Sequence, residues 1–300
     1  MLDTNLLFKE LQKNGLPLPD CEIKTTGFTR WGHNKHMWCH NINDNGWVFG
    51  DWKTGQHWVI FDNTESKPLS KEEKRRVAEI IEAQKQEMQK RTIERQQRVA
   101  TQQYNFYTNC CIADVPADFP YLVKKQIKPV YGMKYFAITK QIIVPMVDVY
   151  GKLWSLQSIG ATGEKQFASG GRTKGCFFPI GNIKDSTTTI VCEGVATGIS
   201  IYTATNIPTI AAMNAGNIDS VVSELTKSCS CKQIIIAGDN DWEKIPNTGK
   251  ETAYKVAQKY ALKAILPNKL LPGMSDFNDV FCHYGIEEVK NQIMKGEKTC

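Results

Sequence analysis

Several acidic residues in the last third of the chain follow runs of apolar residues. Glu193 stands directly after TTIVC, Asp239 and Asp241 follow QIIIAG, and Asp276 and Asp279 lie in GMSDFND. Any one of them could be a helix cap or a turn acid. Because acids recur beyond three separate apolar runs, the pattern favours one shared site over three unrelated ones.

Carboxylates gathered at one point repel each other and cannot all remain ionised without a positive counter-charge. A hard divalent cation supplies that charge, and Mg²⁺ fits best because it uses one or two carboxylates, keeps several waters and bridges to phosphates. Asp239 and Asp241 are two residues apart, which places them on one face of an extended segment. Glu193 would then bind the metal or act as a general base towards a hydroxyl group.

The segments that carry these acids alternate between apolar strands and helices. The runs TTIVC, PTIAA, QIIIAG and KAILP are separated by helical stretches at about residues 195–205, 218–228 and 249–260. Continuously apolar strands that alternate with helices indicate a parallel sheet covered on both faces. Ligands bind beyond the carboxyl ends of such strands, where the acids fall. We therefore predict an α/β domain over 186–300, with a sheet of about four parallel strands.

The net charge of +6, from 37 basic and 31 acidic residues, is unevenly distributed. Residues 119–181 contain nine Lys or Arg against two acids. A basic segment beside an acidic site indicates a polyanionic partner, with lysines scattered for solubility as the alternative. The candidate phosphate contacts are Lys165, Arg172 and Lys174, in and before the glycine-rich stretch SGGRTKG. Lys250, at the start of a predicted helix, is a further candidate.

Three parts precede the predicted α/β domain. Residues 1–68 combine β-prone runs with five tryptophans and indicate a small β unit. Ser70 and Glu73 form a capping-box pattern at the start of a long charged helix, placed at 69–105, which contains neither Gly nor Pro. Residues 106–185 form a basic α+β middle domain with the strands KYFAI, QIIVPMVDV and KLWSLQSI.

Two of these parts have a second interpretation. The tryptophans of the first unit, interleaved with Arg30, Lys35 and Lys53, could stack on single-stranded bases, but a small β unit needs large side chains for its core, which favours packing. The arginines of the long helix could contact nucleic acid, whereas its sparse apolar positions favour a solvated connector. The tryptophans are Trp31, Trp38, Trp47, Trp52 and Trp58.

The motif order resembles the Toprim domain, a metal-binding fold of bacterial-type primases, topoisomerases and some nucleases. Glu-Gly after the first strand, Asp-x-Asp after the third and a later Asp-rich turn carry the likeness. The strings TIVCEGVATGISIYTATNIPTIAAMNAGN, IIIAGDND and SDFNDV resemble the Toprim primases of conjugative plasmids and phages, the TraC type. Upstream segments such as FGDWKTGQHW, PYLVKKQIKP and KQFASGGRTKGCFFPIG extend the resemblance to nearly the whole chain from about residue 25.

The resemblance implies roles for the acids. Glu193, Asp239 and Asp241 would be the catalytic residues, with Glu193 as acid or base. All three, together with Asp276 and Asp279, would be metal ligands, the last two organising a second metal or the nucleotide phosphates.

The implied function is that of a DNA primase-like nucleotidyltransferase in plasmid or phage replication. It would make short RNA primers from NTPs on single-stranded DNA, with Mg²⁺ or Mn²⁺. A Toprim-type metal-dependent nuclease and a non-catalytic single-stranded DNA-binding accessory protein remain alternatives. A separate replicative helicase is a further expected partner, because the nearest match to a P-loop, PNTGKE, lacks the first glycine.

The remaining patterns argue against other classes of protein. There is no Cys-x-x-Cys pair, and His33, His36, Cys39 and His40 are too crowded for a usual zinc site. The ten scattered cysteines are expected to be free thiols. No run of eighteen apolar residues or signal-peptide core appears, so we expect a cytoplasmic protein that does not contact a membrane.

Overall fold

The structure is a computed structural model and describes residues 4–24, 27–43, 46–61, 71–184, 186–228 and 233–298. These residues form two compact units, Met1–Lys90 and Arg91–Cys300. Among the described residues, no helix combines the length and apolar character that a membrane crossing requires. Each cysteine in this part of the chain is a free thiol, as predicted.

The first unit contains a helix and a four-stranded antiparallel sheet. Trp31, Trp38 and Trp47 are each 2% exposed, and Leu7 and Leu11 of the helix pack into the same apolar cluster as Trp31 and Trp47. This packing confirms that most of the tryptophans supply the core of the unit, while Trp52 and Trp58 are half-buried at its edge. Its elements, with the strands in sheet order, are α1 (Thr4–Lys13), β1 (Phe28–Trp31), β2 (Met37–Asn43), β3 (Gly46–Asp51) and β4 (His57–Phe61).

A single long helix, α2 (Lys71–Asn109), contributes to both units. It ends about four residues later than predicted, because its last turns are packed rather than solvated. Val99 and Ala100 are buried, and the ring of Phe106 meets that of Phe136 edge-on with centroids 4.8 Å apart. Ser70, the first residue of the predicted capping box, lies outside the described residues.

The second unit begins with an antiparallel sheet. Asp148 closes the turn between its two central strands by accepting hydrogen bonds from the amides of Tyr150 and Lys152 and from the Trp154 indole, the last at 2.7 Å. Its elements, with the strands in sheet order, are α3 (Pro120–Lys125), β5 (Lys134–Phe136), β6 (Gln141–Val147), β7 (Leu153–Ile159) and β8 (Lys165–Phe167).

The α/β part of the second unit has the predicted alternation and one additional strand. Its elements are β9 (Phe178–Ile180), β10 (Thr188–Cys192), α4 (Val195–Thr205), β11 (Thr209–Ala211), α5 (Ala215–Ser228), β12 (Gln233–Ala237), α6 (Thr248–Tyr260), β13 (Lys263–Ile265), α7 (Phe277–Tyr284) and α8 (Ile286–Lys298). The sheet order is β13-β12-β10-β11-β9. Four strands are parallel, and β9 pairs antiparallel with β11.

The strand β9 corrects the sequence prediction in two ways. The sheet has five strands instead of about four, and the fifth comes from the segment assigned to the middle domain. The boundary at residue 186 therefore does not separate the two sheets. The cause is tertiary, because a three-residue Phe-Pro-Ile strand becomes recognisable only through its pairing with β11.

Both faces of this sheet are covered, as the continuous apolar strands predict. Ile190 and Cys192 of β10 pack on the side that holds residues of α4, α7 and α8. Val191, between them, packs on the other side with residues of α5 and α6. Alternate residues of one strand thus pack into two different apolar clusters, one on each face of the sheet. Because helices cover both faces, a ligand would bind at the carboxyl ends of the strands.

Candidate active site

Two neighbouring parallel strands bring their acids to the same edge of the sheet. Cys192, the last residue of β10, is paired with Ala237, the last residue of β12. Glu193 follows the first strand by one residue and Asp239 follows the second by two. Adjacent strand ends, rather than closeness in sequence, place these two carboxylates together.

Asp276 and Asp279 reach this edge from the first turn of α7, where they cap the helix. Asp276 accepts a hydrogen bond from the Asp279 amide at 2.8 Å, and Asp279 accepts from the amides of Ser275 and Asp276. The Thr197 hydroxyl lies 3.2 Å from the other oxygen of Asp276, and the Lys125 ammonium lies 3.7 Å from Asp279. The helix-cap alternative thus applies to these two acids.

Asp239 differs from the capping pair because its Oδ1 atom is buried and has no hydrogen-bond partner. Burial, as the larger cause, and the neighbouring carboxylates together raise the pKa of this carboxyl to about 8. These neighbours, in decreasing order of effect, are Asp276, Glu193, Asp241 and Asp279. All five predicted acids are therefore close enough to influence one another's charge.

The pKa of Glu193 is also raised. Burial is the largest cause, and the carboxylates of Asp241 and Asp276 add to it. The Ala215 amide, which donates a hydrogen bond to Glu193, and the Lys165 ammonium act in the opposite direction. A carboxyl poised in this way suits proton transfer better than an ordinary surface glutamate would.

The residues at this edge fit a hard divalent cation. The buried Oδ1 of Asp239 lacks any partner, whereas Asp241 lies 3.0 Å from the Lys244 ammonium and Asp279 lies 3.7 Å from that of Lys125. An unpartnered carboxylate oxygen among other acids is a ligand that such a cation prefers. In the described part of the chain, no three His, Cys, Asp or Glu side chains lie close enough to hold a metal ion. The assignment of individual ligands therefore stays a prediction.

The structure separates the predicted basic residues into three places. Lys165, on β8, lies near the acids. Partial desolvation and the Lys125 ammonium lower its pKa, while Asp276, Glu193 and Asp239 act to raise it. This lysine can therefore interact with an anion held at the acidic edge.

Arg172 and Lys174 lie elsewhere, on a polar cavity of about 450 Å³ bordered by α5 and α6. The Arg172 guanidinium lies 4.8 Å from the centroid of the Trp154 ring, and its Nε donates to the Lys174 carbonyl at 3.0 Å. Stacking and this hydrogen bond hold the guanidinium in a fixed orientation. Lys250 is exposed in the first turn of α6.

The acidic edge and the sheet behind it coincide with a match to a known family. Residues 188–287 match the family model described as the Toprim domain. The C-terminal part of this chain is a Toprim domain. Its boundaries enclose all five acids.

Two curated relatives are DNA primases named TraC from Escherichia coli. They are 33% and 30% identical to this chain over 155 residues, 49% of its length. The matches span 11% and 15% of those proteins, so this chain corresponds to a small part of each. They confirm the resemblance of about half of this chain to primases of the TraC type.

Solved structures of primases are also similar to this chain. The catalytic core of DnaG has a TM-score of 0.46 and 12% identity, covering 66% of this chain and 79% of that one. The DnaG primase catalytic domain bound to single-stranded DNA has a TM-score of 0.45 and 11% identity, covering 68% and 82%.

The structure adds residues around the Toprim acids that sequence reasoning missed. Asn247, the N-cap of α6, accepts hydrogen bonds from the amides of Asp241 and Lys250 and donates to Asn240 at 2.9 Å. Asn240 in turn donates its amide to the Ser275 carbonyl at 2.7 Å. These bonds fix the Asp-Asn-Asp loop from both sides. An asparagine before a helical stretch is the one sequence signal that points to this role.

Tyr121 is a second residue that the sequence did not single out. It is 3% exposed, and its hydroxyl is buried without a hydrogen-bond partner. Burial, and to a lesser extent Asp276, raise its pKa to about 12. The Lys165 ammonium lies 6.0 Å from the centroid of its ring, so Tyr121 forms part of the surroundings of the Toprim edge.

In the first unit, two of the four residues considered for zinc, His36 and His40, have other partners. The His36 ring lies 2.7 Å from Asp51, and the His40 ring lies 2.9 Å from the Gly27 carbonyl and stacks on Phe28. Burial raises the pKa of the Cys39 thiol to about 12, which disfavours the thiolate that zinc requires.

Proposed function

We propose that this chain is a divalent-cation-dependent primase that joins NTPs into short RNA primers on single-stranded DNA in plasmid or phage replication. The observation that carries the proposal is the buried, unpartnered oxygen of Asp239 within a group of mutually repelling carboxylates. An arrangement that costs free energy in the empty protein is stabilised when a cation enters. The likeness to TraC primases supports phosphoryl transfer as the chemistry that this cation serves.

The side chains at the edge suggest a division of roles. Bound Mg²⁺ or Mn²⁺ would neutralise charge on the reacting phosphate, held by Asp239 and Asp241. Glu193, with its raised pKa, is suited to accept the proton of the attacking 3′-hydroxyl group. Lys165 would orient the NTP phosphates, because it lies near the acids without being neutralised by an ion pair with one of them.

The template strand would use different residues. Arg172 and Lys174 line the polar cavity beside α5 and α6, and the guanidinium is held in place by Trp154. Arginine and lysine contacts to phosphates position a nucleic acid without reading its sequence. We therefore assign these two residues to the DNA backbone and Lys165 to the NTP.

The deciding experiment incubates the full chain with a single-stranded template and labelled NTPs, with and without Mg²⁺ or Mn²⁺. Oligomers that require both NTPs and cation are expected, and Asp239→Asn should abolish them while Asp114→Asn, at an exposed acid, should not. Template cleavage without NTPs would instead indicate a nuclease. Template binding without either reaction would indicate an accessory protein.

A further inference from the structure

Asn217, in the first turn of α5, is a buried side chain that uses both ends of its amide. It is 5% exposed. Its Oδ1 accepts a hydrogen bond from the Gly175 amide, and its Nδ2 donates to the carbonyls of Cys176 and Ala212, each at 2.8 Å. One amide group thereby connects two chain segments that are about 36 residues apart.

The first of these segments is the basic loop, residues 170–176. Gly175 has a φ of +71° and lies against Glu224 and the Arg172 guanidinium, so that an added Cβ would be 3.2 Å from Glu224 and 3.5 Å from Arg172. The loop is thus closely fitted at the point where Asn217 binds it. Any shift at Gly175 would move Arg172 and Lys174 relative to α5.

The second segment, residues 212–215, wraps around the end of β10. The Met213 amide donates to the Glu193 carbonyl at 2.8 Å, and the Ala215 amide donates to the Glu193 carboxylate. Met213 has a φ of +74°, which is uncommon for a residue with a side chain and needs support from its surroundings. The bond from Asn217 to Ala212 provides such support one residue upstream.

We propose that Asn217 is a positioning residue that holds the basic loop and the Glu193 segment in one fixed geometry. It keeps Arg172 and Lys174 in register with the carboxylate on which primer synthesis depends. This inference rests on the proposed function. It extends that function, because it names a residue that contacts neither DNA nor NTP but fixes the position of the template-binding loop relative to Glu193.

Two variants remove these hydrogen bonds in different ways. Asn217→Asp keeps the shape and the acceptor for Gly175 but replaces both donor bonds with repulsion between oxygens. Asn217→Ala removes all three bonds without adding charge and serves if the first variant folds poorly. Gln292→Glu is the matched control, because Gln292 is also a buried amide, with donor bonds to Asn268 and Glu288 and one accepted from the Asn268 amide.

The first measurement is amide hydrogen exchange in the full-length protein. We expect the amides of Met213 and Ala215 to exchange about tenfold faster in both Asn217 variants and to be unchanged in Gln292→Glu. Unchanged exchange at these two amides in a folded variant would overturn the proposal. Because this measurement needs neither template nor NTPs, its outcome is independent of whether the chain makes primers.

The second measurement is a double-mutant cycle with Arg172→Gln, read as affinity for a single-stranded oligonucleotide. Arg172→Gln is expected to lower this affinity. If Asn217 positions Arg172, the same substitution made in the Asn217→Asp variant should lower the logarithm of the affinity by only about half as much. A purely structural role would lower the melting temperature and leave the two effects additive, as expected for Gln292→Glu. Additivity would therefore also overturn the proposal.

Discussion

Two aspartates, one in each unit, show how differently the same side chain can be used at the end of a strand. Asp51, the last residue of β3, is bonded to the His36 ring and to the Lys53 amide at 2.7 Å each. Burial acts to raise its pKa, but these hydrogen bonds together outweigh burial and hold the pKa below its usual value. Asp239 has a buried oxygen with no such bonds and a pKa of about 8.

The comparison teaches that an acid after a strand does not by itself mark a functional site. Asp51 contributes to the stability of its unit, whereas Asp239 opposes folding in the absence of a cation. The distinguishing feature is a missing partner at an ionisable oxygen that also lies among other carboxylates, because most buried polar atoms are hydrogen-bonded.

The largest expected effect is on activity. Asp239→Asn and Asp241→Asn should each lower cation-dependent primer synthesis by about 100-fold or more, because each removes a negative charge that helps hold the cation. The measurement is initial primer yield at saturating NTP, with circular dichroism to verify the fold. Retained synthesis in both variants would remove these residues from the metal site.

The second expected effect is on stability without cation. Asp239→Asn should raise the free energy of unfolding, since ionisation of the native carboxyl is disfavoured. The gain should be absent below about pH 4, grow by on the order of 1.4 kcal/mol per pH unit towards about pH 8, and level off above it. Urea unfolding in EDTA at several pH values tests this, and a gain independent of pH would contradict it.

Asp51→Asn should change the free energy of unfolding in the opposite direction to Asp239→Asn, and by less. The lowered pKa of Asp51 means that its contribution is present above about pH 4 and is lost as the pH falls further. The variant should lower the free energy of unfolding of the first unit by about 1 kcal/mol at pH 7 and by less at pH 3, where part of the contribution of the carboxylate is already lost. Thermal melts at both pH values measure this, and equal losses would show that the charge of Asp51 has no role.

The smallest effect concerns the basic residues. Changing Arg172 and Lys174 together to glutamine should flatten the salt dependence of single-strand binding by about 0.7 log unit per lost contact, and adding Lys165→Gln in the presence of NTP should flatten it no further. Fluorescence anisotropy across a salt series measures the slope, with the exposed Lys290→Gln as control. An unchanged slope would leave Arg172 and Lys174 with a role in solubility only.

Local signals sufficed where neighbouring residues determine the structure. The helix α4 has the predicted bounds because Gly194 precedes it and Asn206 ends it with a φ of +57°. The positions of Glu193 and Asp239 follow from the strands that precede them, so sequence alone could predict that they meet.

Other features depend on contacts between distant segments and could not be predicted. Lys165 and Arg172 are seven residues apart, yet only Lys165 is found among the charged neighbours of the acids. Asn217 and Asn247 look like ordinary polar residues in or before a helix. Their importance comes from bonds to segments whose location the sequence does not specify.

The strand β9 also sets an order of assembly during synthesis. It leaves the ribosome before β11, its one pairing partner among the described strands of this sheet. Until then its neighbour Phe177 can form the two backbone hydrogen bonds that link it to Val147 at 2.9 Å, at the end of the antiparallel sheet. We therefore expect the earlier sheet to position the edge strand of the later one, so that folding of the Toprim domain depends on the chain that precedes it.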